Sequence, residues 1–138
     1  MLHLLRPRNQ RKGAIADVEF EGEPYAAGVS FFLGNAPPGI GPPLHNHSYA
    51  EVCIVRSGQA AMTLDGQDIV AQAGDIVVIG PGTPHRFVST GDERLDMMCI
   101  HANSQFIIEW LGDRRREGTD LRRGTGANVM SDNAGITS

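Results

Sequence analysis

Apolar residues recur along this chain mainly at a period of two, the signature of strands with one buried face. Asp17 to Glu21 alternates polar and apolar residues. Tyr25 to Leu33 is an apolar run of strand length, and Ala50 to Arg56 is another. Ala60 to Leu64 and Asp68 to Gln72 flank Asp65-Gly66-Gln67, and Asp-Gly between two such runs predicts a hairpin. Further strands are predicted over Asp75 to Ile79, His85 to Ser89 and Arg94 to His101. Roughly eight short strands at regular spacing make an all-β sandwich or barrel. One short C-terminal helix is also predicted. Ser104 caps it, Phe106, Ile107, Trp110 and Leu111 share a face, and Gly112 ends it. Its apolar face is expected to cover an open barrel edge.

The breaks in this pattern divide the chain. Residues 1–16 read as an N-terminal arm, 17–112 as a barrel, and 113–138, polar and rich in Gly and Arg, as a disordered tail. The 138 residues suit one domain. Charge is uneven. Between Gly13 and Asp113 there are thirteen acidic residues and only Arg56, Arg86 and Arg94 as strong bases, whereas both ends are basic. An acidic barrel repels phosphate backbones, so no nucleic acid is expected on it. The basic ends read either as solvated tails or as segments lying on the acidic face of a partner subunit. Two cysteines, Cys53 and Cys99, make no disulfide framework, and a cytoplasmic location is expected. No apolar stretch has signal-peptide or membrane-spanning length, so no membrane association is expected.

Candidate chemistry sits around a Pro- and Gly-rich loop, Asn35 to Pro43. His45 and His47 follow it two residues apart, so in extended chain they leave the same face. Glu51 has the same parity. Two imidazoles and a carboxylate converging from one sheet face form a divalent metal site. The alternative is a pair of satisfied core histidines. Against it, a carboxylate pointing into a barrel without a partner costs several kcal/mol or goes neutral. His85 follows the turn Gly80 to Pro84, where Gly and Pro set the direction of the next strand.

These two segments resemble the motifs of the cupin superfamily. Gly39, His45, His47, Glu51 and Gly58 match the first at every interval. Gly74, Gly82 and His85 match the second, with Gly80 where a Pro is expected and Ser89 where an Asn is usual. The resemblance spans roughly Asp17 to His101. It implies a double-stranded β-helix, or jelly-roll barrel, in which His45, His47, Glu51 and His85 hold one divalent ion: iron, manganese, nickel, copper or zinc. It also implies a small single-domain bacterial cupin, and a homodimer in which the arm before Asp17 crosses to the neighbour.

Four protein ligands on a six-coordinate ion leave two adjacent positions for a small-molecule substrate. The leading expectation is a metal-dependent enzyme of oxygenase type acting on a small oxygenated organic compound. Glu51 would loosen from the metal and act as general base. An isomerase or lyase on the same site, and a non-catalytic sensor, are the alternatives. Tyr49 shares parity with His47 and Glu51 and either bonds a ligand or packs on the rim. His101 shares parity with Met97 and Cys99 and is either a proton shuttle in the pocket or a rim histidine.

Overall fold

The computed structural model describes residues 1–112. Their strands build two antiparallel sheets around one core. In spatial order, the six-stranded sheet comprises Arg11–Gly13 (β1), Ala16–Glu21 (β2), Ser30–Ala36 (β3), Leu95–His101 (β10), Glu51–Ser57 (β5) and Ile76–Ile79 (β8). The five-stranded sheet comprises Glu109–Trp110 (β11), His45–Asn46 (β4), His85–Thr90 (β9), Gln59–Leu64 (β6) and Gln67–Gln72 (β7). This is the jelly-roll barrel implied by the motifs.

Alternation sets the core. Phe32, Val55 and Met97 point inward from the larger sheet and meet Met62, Ala71 and Phe87 from the smaller. Each of these side chains but Ala71 contributes about 1.5–3 kcal/mol on burial. The Asp65-Gly66 hairpin forms as predicted. Leu64 pairs with Gln67, and φ is 51° at Asp65 and 80° at Gly66, the left-handed pair a two-residue turn needs. Gly58 turns the chain from β5 into β6 at φ 80°, and a Cβ there would collide with the Arg94 carbonyl.

The structure corrects two elements. The apolar run Tyr25 to Leu33 begins with a 3₁₀ turn, Glu23–Tyr25, closed by left-handed Ala26, and its strand starts only at Ser30. The predicted helix from Ser104 to Leu111 does not form; the segment is extended and ends in β11. Phe106, Ile108 and Trp110 lie half-buried while Ile107 and Glu109 are exposed, so the period is two. Four apolar residues fit a helical stripe equally well, and the backbone partners decided. Ile107 and Leu111 bond across the barrel mouth to Tyr49 and Leu44.

Part of the stretch read as an arm joins the larger sheet, since Arg11–Gly13 pairs with β2 and Arg11 reaches Glu19 and Glu21 at 3.2 and 3.4 Å. Residues 113–138, read as a disordered tail, lie outside the described residues. Among the described residues no helix is long and apolar enough to cross a membrane.

Candidate metal centre

Four strand ends meet at one mouth of the barrel and bring the site together. His45 opens β4 directly opposite His85, which opens β9. Glu51 opens β5 directly opposite His101, which ends β10. His47 lies in the loop after β4, its carbonyl held by the Gly82 amide at 2.7 Å. All five side chains are buried, at 2% exposure or less. His45, His47 and His85 offer ligand atoms within 4.8 Å of one another, and His47, Glu51 and His101 form a second such group. The predicted set of four is thus gathered, with His101 added. His101 is no rim residue; it is wholly buried.

Hydrogen bonding sets the ring orientations. His45 Nδ1 donates to the Pro43 carbonyl at 2.7 Å, His47 Nδ1 to Ile107 at 2.7 Å and His85 Nδ1 to Thr83 at 2.8 Å. A carbonyl only accepts, so each Nδ1 carries the proton and each neutral ring turns a bare Nε2 lone pair inward. Among the described residues none of these Nε2 atoms has a hydrogen-bond partner, nor has Glu51 Oε1. Yet Oε1 lies 3.3 Å from His47 Nε2 and 3.2 Å from His85 Nε2. Acceptors facing acceptors at that distance repel. Leaving buried polar atoms unpaired costs about 1–3 kcal/mol each. Four such atoms approach the whole net stability of a small domain, about 5–15 kcal/mol. A cation among them removes the penalty, and imidazole with carboxylate is a donor set for first-row divalent metals. The residues therefore fit the ion that the motifs imply.

The second carboxylate oxygen has other neighbours. Glu51 Oε2 lies 3.4 Å from His101 Nε2 and accepts from Cys53 Sγ at 3.4 Å. Behind His101, the Tyr49 hydroxyl stands 2.8 Å from Nδ1 and accepts the Ile107 amide at 3.1 Å. Tyr49 is buried against the site. Its proton has a shorter path to His101 Nδ1 than to the Ile107 carbonyl, 3.4 Å away. Donation to Nδ1 leaves the His101 proton on Nε2, aimed at Glu51.

Charges follow from this packing. Burial alone raises the Glu51 carboxyl, but His101, whose Nε2–H faces it, outweighs burial and holds it well below the usual carboxylate range. Burial, then the neighbouring His85 and His47, drives His45 well below the ordinary histidine value. Burial lowers His101 too, against the pull of Glu51. The Cys99 hydrogen bond and burial push the Cys53 thiol far up, and burial raises Cys99 to about 11.

Cys53 and Cys99 are both buried free thiols. They face each other across β5 and β10 with sulfurs 3.0 Å apart, directly beneath Glu51. The parity Tyr49, Glu51, Cys53 already put Cys53 on the site face. The Ile107 backbone carries no side-chain signal and was not foreseen.

The family model of the cupin domain matches residues 32–101, half of the chain, and the chain belongs to that family. An uncharacterized protein of Methanocaldococcus jannaschii is 33% identical over 75 residues, which are 52% of this chain and 60% of that protein. Among solved structures, an oxalate decarboxylase variant of Bacillus subtilis superposes with TM-score 0.63 at 24% identity, over 74% of this chain and 29% of that one. A crystal structure of oxalate oxidase gives 0.60 at 21% identity, over 68% and 53%. A conserved Streptococcus pyogenes protein of unknown function gives 0.52 at 18% identity, over 58% and 68%. At these identities the shared feature is the fold.

Proposed function

We propose that this cupin is a metal-dependent enzyme of oxygenase type acting on a small oxygenated organic compound, with His45, His47, Glu51 and His85 holding one divalent ion. The observation that carries the reading is the set of unpaired Nε2 atoms turned toward Glu51 Oε1 in a buried site. When bound, the ion supplies Lewis acidity to a substrate oxygen. The protein's part is orientation and proton handling. Carbonyl acceptors behind His45, His47 and His85 fix which nitrogen faces inward. Glu51 keeps a low proton affinity and serves as the base. His101, with its Nε2–H facing Oε2 and its Nδ1 beside the Tyr49 hydroxyl, orients that carboxylate oxygen and holds its negative charge in place.

Elemental analysis of the untagged protein tests the first half. The expected outcome is close to one equivalent of metal after reloading, lost in His47→Ala with the β-sheet circular dichroism retained. Less than a tenth of an equivalent after soaking in each candidate metal overturns the site. Oxygen uptake by the iron and manganese forms on a panel of catechols and enediols tests the second half. Turnover supports the enzyme; tight binding without turnover makes the protein a sensor.

A further inference from the structure

Two thiols remain that the chemistry at the barrel mouth does not use. Cys53 on β5 and Cys99 on β10 are the only cysteines of the chain. Both are free, and both are buried, at 1% and 0% exposure. A buried thiol packs as a small apolar group, and Phe32, Val55 and Met97 share their cluster. Packing alone, however, does not require two thiols facing each other.

Register comes first. Cys99 is the direct cross-strand partner of Cys53. Directly opposed residues of an antiparallel pair have Cα atoms about 4.5 or 5.5 Å apart, according to which kind of pair they form. Both values lie inside the range of about 4.4–6.8 Å that a disulfide spans. Side-chain direction agrees with register, since the two sulfurs already stand 3.0 Å apart. Bringing them to a bond of about 2.05 Å asks for a shift of about 1 Å, within reach of side-chain rotation. The pair is also wired to the site. Cys99 Sγ donates to Cys53 Sγ, and Cys53 Sγ donates to Glu51 Oε2 at 3.4 Å.

We propose that Cys53 and Cys99 form an oxidation site, which hydrogen peroxide closes into a cross-strand disulfide and a dithiol reopens. Burial selects the oxidant. Thiols this deep do not meet a bulky disulfide such as oxidised glutathione, whereas peroxide is little larger than water. Cys53 reacts first, because its S–H is aimed at an acceptor carboxylate. Its sulfur bonds to one peroxide oxygen, the O–O bond breaks, and the thiol proton leaves with the other oxygen as water. Cys99 sulfur then displaces the hydroxyl from Cys53 sulfur. The S–O bond breaks, the S–S bond forms, and the Cys99 proton leaves with the hydroxyl as a second water. Two thiols and one peroxide thus give one disulfide and two waters, with two electrons passing from sulfur to oxygen. Both thiols hold their protons tightly, Cys53 through the Cys99 hydrogen bond and burial, Cys99 through burial. Since the thiolate is the reactive form, closure takes hours rather than seconds. The bond fastens β5 to β10 two positions from Glu51 and two from His101, and it takes from Glu51 Oε2 its sulfur donor.

The test uses the full chain, kept with a chelator so that no ion makes radicals from the peroxide. After overnight exposure to millimolar peroxide without denaturant, thiols are counted in guanidinium. The count should fall from two to none and return with dithiothreitol, and a tryptic digest should contain Cys53 joined to Cys99. The new bond spans 46 positions, so the oxidised chain should melt at least about 5 °C higher. Cys99→Ala under the same treatment should show no rise. Two thiols still present overturn the proposal, and so do cysteines that carry oxygen instead of each other. Chains joined to one another overturn it, as does a glutathione adduct formed when oxidised glutathione replaces peroxide. An unchanged melting temperature in wild type, or a rise in Cys99→Ala, overturns it as well. All of these are read without metal, so failure of the thiol pair leaves the metal centre standing, and an empty metal centre leaves the thiol pair standing.

Discussion

A buried carboxylate has to be accounted for oxygen by oxygen, and the two oxygens of Glu51 live in different surroundings. Oε1 faces bare imidazole nitrogens, and Oε2 faces His101 and the Cys53 thiol. Glu51→Gln separates their roles. An amide nitrogen at the Oε1 position donates to His47 or His85, which a carboxylate cannot do. The metal-free variant is therefore expected to melt higher than metal-free wild type, while its metal affinity drops at least tenfold. Differential scanning calorimetry and metal titration check the two halves. The pH dependence of the metal-free protein follows from His45 and His101, whose folded values are lowered. The unfolded chain takes up protons near 6.5 and the folded chain resists them. Stability is full above about pH 6.5 and declines as pH falls below it. Melting temperatures at pH 7.5 and 5.5 should differ in that direction, and an equal or higher value at 5.5 would contradict the burial argument.

At the level of elements, the sequence was legible wherever local chemistry and tertiary packing agreed. Asp65-Gly66 turns because both residues accept positive φ, and the alternation in β5, β9 and β10 reports one buried face. The gathering of imidazoles at the barrel mouth was legible for the same reason, since parity along an extended chain puts His45 and His47 on one side. Residues 104–111 were not. Phe106, Ile108 and Trp110 satisfy period two, Phe106, Ile107, Trp110 and Leu111 satisfy period 3.6, and nothing local separates the two readings. The deciding contacts are the Tyr49 hydroxyl and the Leu44 carbonyl, both distant in sequence. Ile107→Pro tests them, because it deletes the amide proton that Tyr49 accepts and keeps the carbonyl that His47 needs. The Ile107 side chain is 49% exposed, so little packing is lost. A cost of about 1–3 kcal/mol is expected, and thermal unfolding measures it. A neutral substitution would mean that Tyr49 needs no help from that segment.

For the whole molecule, the proposed metal binding and folding are one equilibrium. An ion that fills the barrel mouth binds the folded chain far better than the unfolded one, whose ligands are scattered from residue 45 to residue 85. At a hundredfold excess over its dissociation constant it adds about 2.7 kcal/mol. Chelation should lower the melting temperature, and re-addition should restore it in wild type but not in His47→Ala. A barrel unmoved by chelation would show that the unpaired atoms cost less than the ledger at the site requires.

Ile107 gives both of its main-chain polar groups to the site, one to His47 and one to Tyr49. A guest entering past residues 104–111 would have to unlatch both at once. The 107 amide is thus a built-in gauge of traffic through the mouth. Its hydrogen exchange should slow when a ligand settles inside and quicken in any variant that leaves the door ajar.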